Sequence, residues 1–216
     1  MSKYKLIIFD VDGTLLDTTE GVIEAVKFVI KKNSLKALAE EQLRTFIGPP
    51  IQKSFETHYS LTKERAQELA NDFRNRYKSE DLFKATPYEG VYDLMEQLMK
   101  LGYIIAIATY KRHDYAIDIL KHFKFHKYTS IMYGADHFNK LTKKDIILKC
   151  IEDTSIMSYE EVLMVGDTDN DAIGAKELGI DFIGVTYGFG FKNSEMVKYY
   201  GAVGSAKNPG EILNFL

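Results

Sequence analysis

Short apolar runs alternate with amphipathic stretches along most of the chain. Five runs have the length of buried strands: residues 6–9, 103–108, 130–133, 162–165 and 182–185. Stretches with the apolar spacing of helices lie between them, at residues 91–98, 116–123, 143–151 and 171–178. Short apolar runs rich in β-branched residues are typical of strands covered on both faces. The alternation therefore predicts parallel βαβ units and an α/β fold with a doubly wound, Rossmann-like sheet.

The segment of residues 16–84 departs from this alternation because it contains helical patterns only. Asp17 and Glu20 predict a capping box for its first helix, and Thr62 predicts an N-cap for its last. We therefore predict two domains, an α/β core of residues 1–15 and 85–216 and a small all-helical domain of residues 16–84. An insert after the first strand would lie over the carboxyl edge of the sheet, where a lid can exclude water and read a substrate.

Composition restricts the compartment and the partners. Of the 216 residues 45% are hydrophobic, and the net charge is −3, so nothing favours binding to a nucleic acid polymer or an anionic membrane. Cys150 is the only cysteine, which excludes an intramolecular disulfide, fits a reducing compartment and suits the buried face of a helix. The first strand begins within a few residues of Met1, without room for a signal peptide, and no run has membrane-spanning length. We expect a cytoplasmic protein.

The first apolar run ends in two carboxylates one residue apart, Asp10 and Asp12, followed by Gly13 and Thr14. Open α/β sheets bind ligands at this edge, and two acids this close repel each other unless a cation lies between them or one is protonated. Mg²⁺ satisfies that demand and leaves coordination positions for phosphate oxygens. An ordinary Asp-Gly turn is the alternative, and the apolar run before it argues against that interpretation.

A second acidic loop follows a later run, in the sequence Gly166-Asp167-Thr168-Asp169-Asn170-Asp171. Asp167 and Asp171 are four residues apart, so a helix that begins between them lets both carboxylates point to the same edge. Asp169 suits a cap or turn. A calcium loop has related spacing but needs further ligands and a glutamate, which the following residues do not supply.

Several residues after the second core run suit a phosphate group. Thr109 carries a hydroxyl that, with nearby backbone N–H groups, could donate to a phosphate oxygen, although threonine also simply favours strands. Lys111 is a further candidate phosphate contact, with a solvated lysine as the alternative. We count Tyr110 and Gly13 with it as candidate phosphate-binding residues.

A cation is also needed to hold a nucleophile and a phosphate together, and residues 140–147 contain three lysines at the start of a helix. We prefer Lys143, because Thr142 can cap this helix and place Lys143 in its first turn beside the sheet edge. Lys140 is the alternative.

These four segments, in this order, resemble the four motifs of the haloacid-dehalogenase superfamily of phosphatases and phosphotransferases. They are Asp10-Val11-Asp12-Gly13-Thr14-Leu15, Thr109, the lysine segment and the loop of Asp167 and Asp171. The chain departs from a common family pattern in that no proline follows its lysine. Nearly the whole chain is similar to the phosphoglycolate-phosphatase-like branch, which has a helical cap after the first strand and also contains nucleotidases and pyrophosphatases.

The resemblance implies a Mg²⁺-dependent phosphatase for small phosphate monoesters. Asp10 would be the nucleophile that becomes an aspartyl phosphate, and Asp12 the general acid and base. Thr109 and Lys143 would position and neutralise the phosphate oxygens. The expected partner is a small phosphorylated metabolite, and the expected assembly is a monomer or a homodimer.

The resemblance also implies a metal site built from Asp10, Asp12, Asp167 and Asp171. Asp12 would meet the metal through its backbone carbonyl. Asp167 would complete the site, and Asp171 would orient the lysine or a metal-bound water.

Other activities of this superfamily and of similar folds remain as alternatives. Asp12 argues against a dehalogenase, which lacks an acid there, and a phosphonate hydrolase would need a Schiff-base lysine in the cap, for which residues 27, 31, 32, 36 and 53 qualify by type only. A sugar phosphomutase of the β-phosphoglucomutase type would retain phosphate on its product. A phosphorylated receiver module or a non-catalytic binding protein would show no turnover. Specificity would depend on the cap, where Gly48-Pro49-Pro50, Lys53 and Arg74 are candidates.

Overall fold

The computed structural model describes residues 2–137 and 140–216, which form two compact units. One unit consists of the chain up to Asp17 together with Pro87–Leu216, and the other is Thr18–Thr86. Both boundaries lie two residues further along the chain than the predicted ones at 15/16 and 84/85.

The strands are β1 (Leu6–Phe9), β2 (Leu16–Asp17), β3 (Thr86–Pro87), β4 (Ile104–Arg112), β5 (Met132–Ala135), β6 (Val162–Gly166), β7 (Asp181–Val185) and β8 (Gly204–Ala206). The α-helices are α1 (Thr19–Lys32), α2 (Glu40–Arg44), α3 (Ile51–Tyr59), α4 (Lys63–Arg76), α5 (Val91–Lys100), α6 (His113–His122), α7 (Lys143–Glu152), α8 (Asp169–Leu178) and α9 (Ser194–Tyr199).

Six strands form one parallel sheet in the order β5-β4-β1-β6-β7-β8, which confirms the doubly wound α/β prediction. The chain moves outward from β1 through β4 to β5, then returns to the other side of β1 and moves outward again from β6. Strand order therefore reverses between β1 and β6, the point where open α/β sheets bind ligands. Phe9 at the end of β1 is in register with Val165 in β6, so the residues that follow both strands emerge side by side.

The core of this unit lies on both faces of the sheet, as the apolar runs predict. All four side chains of β1 are inaccessible to solvent, and burying an aliphatic or aromatic side chain of this size stabilises a fold by about 1.5–3 kcal/mol. Cys150 on α7 is fully buried beside the sheet, and its Sγ lies 3.4 Å from the carbonyl oxygen of Ile107. This agrees with the structural role predicted for the cysteine.

Strand β4 is longer than the apolar run predicts. It continues through Thr109, Tyr110 and Lys111 to Arg112, with a shift in its pairing to β5 between Thr109 and Arg112. The predicted strand, residues 103–108, ends too early because the four residues that follow are polar or half-exposed at the sheet edge. Strand β8 and helix α9 were not predicted, because they are short and lack an apolar pattern.

The unit Thr18–Thr86 contains α1 to α4, as predicted, followed by a π-helical turn over Tyr77–Asp81. Thr62 caps α4 by accepting a hydrogen bond from the Arg65 N–H. The capping box expected from Asp17 is wrong, because Asp17 ends β2 and the N-cap residue of α1 is Thr18. None of the helices in the described part of the chain has the length and apolar character needed to cross a membrane.

Candidate active site

Three buried carboxylates meet at the carboxyl edge of β1 and β6. Asp10 follows β1, and its N–H donates to the Val165 carbonyl of β6; Asp167 follows β6, and Asp171 lies in the first turn of α8. Each of the three offers a carboxylate oxygen within 4.8 Å of the others', and their residual exposures are 6%, 0% and 1%. A helix that begins between Asp167 and Asp171 therefore does bring both acids to one edge.

Asp12 lies in the tight turn that follows Asp10. Gly13 adopts the left-handed region with φ = 86°, and its N–H donates to the Leu16 carbonyl 2.9 Å away. The Asp12 side chain is nearly buried, and its Oδ1 lies 3.0 Å from Nζ of Lys111. The Gly13 N–H, expected among the phosphate contacts, is thus already paired within the turn.

Lys143 lies between two of the acids. Its Nζ is 2.5 Å from Oδ1 of Asp10 and 2.6 Å from Oδ1 of Asp171, and the side chain is 3% exposed. Thr142 caps α7 by accepting from the Asp145 N–H, which places Lys143 at the first helical position. Lys140, the alternative lysine, is exposed. Of the two, the structure brings only Lys143 to the carboxylates.

A glycine on α8 leaves room for the Lys143 side chain. A Cβ atom at Gly174 would lie 3.1 Å from both Cβ and Cγ of Lys143, which is tighter than ordinary van der Waals contact. Helices α7 and α8 can therefore pack closely enough for the lysine to reach across to the acids.

The other oxygen of Asp171 is held by its own helix. Oδ2 accepts from the Thr168 N–H at 3.0 Å and from the Thr168 hydroxyl at 2.7 Å, an arrangement that caps α8. A Cβ at Gly166 would lie only 2.4 Å from Cγ of Asp171, so a larger residue there would displace the carboxylate. One oxygen of Asp171 therefore contacts Thr168 and the other contacts Lys143.

Asp167 is held differently, with one oxygen bound and the other open. Oδ2 accepts from the N–H groups of Phe189 at 2.7 Å and Gly190 at 3.1 Å. Oδ1 is buried and has no hydrogen-bond partner among the residues that the structure describes. This contact was not predicted from the sequence, where its only local signal is the pair of glycines at 188 and 190.

The electrostatics of the site favour a bound cation. Burial raises the pKa of Asp10 to about 7, against the lowering effect of the Lys143 ammonium. Burial and the neighbouring charges of Asp171 and Asp10 raise the pKa of Asp167 well above its usual value. Burial would lower the pKa of Lys143, but the charges of Asp10 and Asp171 outweigh it and raise the pKa. A divalent cation with oxygen ligands, such as Mg²⁺, would supply the charge that keeps these acids ionised.

The residues at the end of β4 include both candidate phosphate contacts and residues that hold neighbouring elements in place. Thr109 is 1% exposed, and its Oγ1 accepts from the Lys111 N–H at 3.1 Å. The Tyr110 hydroxyl accepts from the Lys143 N–H at 2.9 Å, and its expected contact with phosphate stays a prediction. That hydrogen bond ties the end of β4 to the first turn of α7.

Similar proteins were found in three comparisons. The family model of haloacid dehalogenase-like hydrolases matches residues 7–185. A 5'-nucleotidase from Pseudomonas aeruginosa is 33% identical over 188 residues, which cover 87% of this chain and 85% of that protein. A phosphoglycolate phosphatase from Vibrio parahaemolyticus is 28% identical over 193 residues, covering 86% and 85%. The crystal structure of a predicted phosphatase from Clostridium acetobutylicum superposes with a TM-score of 0.89 at 33% identity, covering 99% of this chain and 100% of that one.

Proposed function

The chain is a phosphatase of the haloacid dehalogenase-like hydrolase family, and we propose that it hydrolyses small phosphate monoesters with Mg²⁺ through an aspartyl phosphate on Asp10. The observation that carries this proposal is the buried group of Asp10, Lys143, Asp167 and Asp171 at the reversal point of the sheet. In this group the Asp10 carboxylate can act as the nucleophile, the Lys143 ammonium is a fixed cation, and Oδ1 of Asp167 has no hydrogen-bond partner among the described residues.

The proposed reaction has two displacements at phosphorus. A carboxylate oxygen of Asp10 attacks the phosphorus and forms an acyl phosphate, while the bond to the ester oxygen breaks and Asp12 gives that oxygen a proton. Water then attacks the same phosphorus, Asp12 accepts its proton, and inorganic phosphate leaves as the Asp10 carboxylate is restored. Asp12 lies two residues beyond the nucleophile in a turn fixed by Gly13. This position suits a group that donates a proton in the first step and accepts one in the second.

The remaining residues position charge around the phosphoryl group, which is the main task in such transfers. Lys143 neutralises Asp10 and phosphate together, Thr109 donates its hydroxyl to a phosphate oxygen, and Lys111 lies near enough to Asp12 to contact the same phosphate. Asp171 holds Lys143 in place. These groups are already ordered by α7, α8 and β4, so little reorganisation accompanies the reaction.

The proposed ligands of Mg²⁺ are the carboxylates of Asp10 and Asp167 and the backbone carbonyl of Asp12. The open Oδ1 of Asp167 supports this set, since a buried carboxylate oxygen without a partner is costly unless it binds a cation. The ion would supply positive charge that offsets the repulsion between Asp10 and an incoming phosphate.

The relatives indicate which substrates should be tested first. A 5'-nucleotidase and a phosphoglycolate phosphatase are both similar over most of this chain, so we propose nucleoside monophosphates and phosphoglycolate as the leading candidates. The helical unit Thr18–Thr86 is the proposed source of the choice between them.

The test is phosphate release from a panel of phosphoglycolate, nucleoside monophosphates, sugar phosphates and pyrophosphate, with MgCl₂ and with chelator. Wild type should release phosphate only with MgCl₂, and Asp10→Asn should lose at least about 1,000-fold in rate while it keeps its circular dichroism spectrum. Asp118→Asn on the exposed face of α6 is the matched control and should be fully active. Release by Asp10→Asn at the wild-type rate would rule out the aspartyl phosphate, and transfer of phosphate between sugar positions without release would indicate a mutase.

A further inference from the structure

The loop that follows β7 fixes both the backbone and the side chain of Asp167. The Phe189 and Gly190 N–H groups donate to its Oδ2, and the Phe191 N–H donates to its backbone carbonyl at 2.8 Å. Hydrogen bonds to a charged acceptor are roughly twice as strong as neutral ones. Three successive N–H groups thus hold one residue, and all three lie beyond the region of the family match, which ends at residue 185.

Two glycines allow this loop to approach so closely. A Cβ at Gly188 would lie 2.2 Å from the Gly13 carbonyl oxygen and 2.6 Å from Cβ and Oδ2 of Asp167. A Cβ at Gly190 would lie 2.4 Å from the Asp167 carbonyl oxygen. Neither glycine has a positive φ, so the close approach, and not an unusual backbone conformation, excludes a side chain at both positions.

The turn of Gly13 and Thr14 also lies close to this oxygen. A Cβ at Gly13 would lie 2.2 Å from Oδ2 of Asp167, and the Tyr187 hydroxyl donates to the Thr14 carbonyl at 3.0 Å. Oδ2 therefore lies in a closed pocket of backbone atoms. Oδ1, buried and without a partner among the described residues, is left to accept a ligand from the site.

We propose that the glycine loop, residues 187–191, is the positioning element for the cation. By closing Oδ2 it restricts Asp167 to one coordinating oxygen and fixes the rotamer that presents Oδ1. Mg²⁺ requires near-octahedral geometry and is bound by one or two carboxylates together with waters, so a preset single-oxygen ligand suits it. Groups that orient a metal ligand typically contribute 10–100-fold to metal affinity. This inference rests on the proposed role of Asp167 as a ligand.

The first test measures MgCl₂ binding by calorimetry, independently of turnover, in wild type, Gly188→Ala and Gly190→Ala. Both variants should bind Mg²⁺ about 10–100-fold more weakly, and Asp167→Asn should not bind it measurably. Gly210→Ala is the matched control, because a Cβ there meets only Asn208 Oδ1 at 3.4 Å, and it should bind as wild type does. Folded Gly188→Ala and Gly190→Ala proteins with wild-type Mg²⁺ affinity would overturn the inference.

A second test uses wild-type protein, so it decides the matter even if the alanine variants do not fold. The amide protons of Phe189 and Gly190 should be protected from exchange both in the metal-free protein and in protein saturated with MgCl₂. If saturation exposes these amides, Asp167 has turned and the loop does not define the ligand oxygen. Phosphate release by wild type distinguishes a failure of this inference from a failure of the proposed function. If wild type releases phosphate but the glycine variants bind Mg²⁺ as wild type does, only the inference about the loop is contradicted.

Discussion

The Nζ atom of Lys143 lies 2.5 Å from Oδ1 of Asp10, although 133 residues separate the two in the chain. This ion pair joins the first turn of α7 to the end of β1. Taking two charges out of water is unfavourable, and a buried pair is retained only with good geometry and further partners. Here Asp171 supplies the further partner, so the lysine is fixed beside Asp10, the proposed nucleophile.

Replacing Lys143 with methionine should abolish most activity and destabilise the fold. The rate of phosphate release should fall by about 100–1,000-fold, as for other preorganised charge-stabilising groups. Two buried carboxylates would lose their cation, which should lower the free energy of unfolding by roughly 3–5 kcal/mol. Lys140→Met, on an exposed residue, is the control and should change neither quantity; an equal loss of activity in both variants would argue against Lys143.

Replacing Tyr110 with phenylalanine separates a supporting role from phosphate binding. The variant loses the acceptor for the Lys143 N–H, so urea unfolding should show a loss of about 1 kcal/mol, with a reduced kcat and an unchanged KM. Tyr199→Phe, on a side chain that is 86% exposed, should match wild type. A raised KM with unchanged stability would instead support the phosphate contact expected from the sequence.

The effect of Mg²⁺ on stability should depend on pH. Because the folded-state pKa of Asp10 is raised to about 7, the metal-free folded protein holds a proton between about pH 4 and pH 7 that the unfolded chain has released. Stability contributed by this group therefore falls as pH rises through that window. Mg²⁺ binds the deprotonated acids, so the rise in Tm with MgCl₂ should be larger near pH 8 than near pH 5.

This pH dependence can be measured by thermal unfolding with MgCl₂ or with chelator. The variant that combines Asp10→Asn with Asp167→Asn should show no Mg²⁺-dependent change in Tm at either pH. An equal MgCl₂ effect at both pH values in wild type would show that these acids do not compete with protons for the ion.

The helical unit has its own buried charge, which should stabilise it. Asp81 is fully buried and accepts from Arg76 Nε at 2.8 Å and Lys84 Nζ at 2.7 Å. Asp81→Ala should lower the free energy of unfolding of this unit, because the hydrogen bonds that Arg76 and Lys84 donate to the buried carboxylate are lost. Glu80→Ala removes a half-exposed acid from the same arginine and should cost at most about 1 kcal/mol in urea unfolding. Equal losses of free energy of unfolding in Asp81→Ala and Glu80→Ala would show that burial of Asp81 does not affect the stability of this unit.

The sequence alone predicted five strands of the sheet and the positions of its acids. The four residues of β1 are apolar, two of them β-branched and one aromatic, so they predict a buried strand, and Asp10 must then emerge at the sheet edge. Thr142 identifies the start of α7, which was enough to prefer Lys143 over Lys140. The strand and the position of Lys143 at the start of α7 follow from neighbours in the chain, through strand periodicity and helix capping, and the catalytic role of Lys143 stays a prediction.

The tertiary structure alone decided how the side chains are paired. The Tyr110 hydroxyl accepts from the Lys143 N–H because α7 packs against β4. Likewise, two glycines after β7 suggest flexibility when considered locally, whereas in the fold they bring two N–H groups to Asp167. Contacts of this kind depend on the distance between elements that are remote in sequence, and an ångström of backbone approach, which no local pattern encodes, decides which atom meets which.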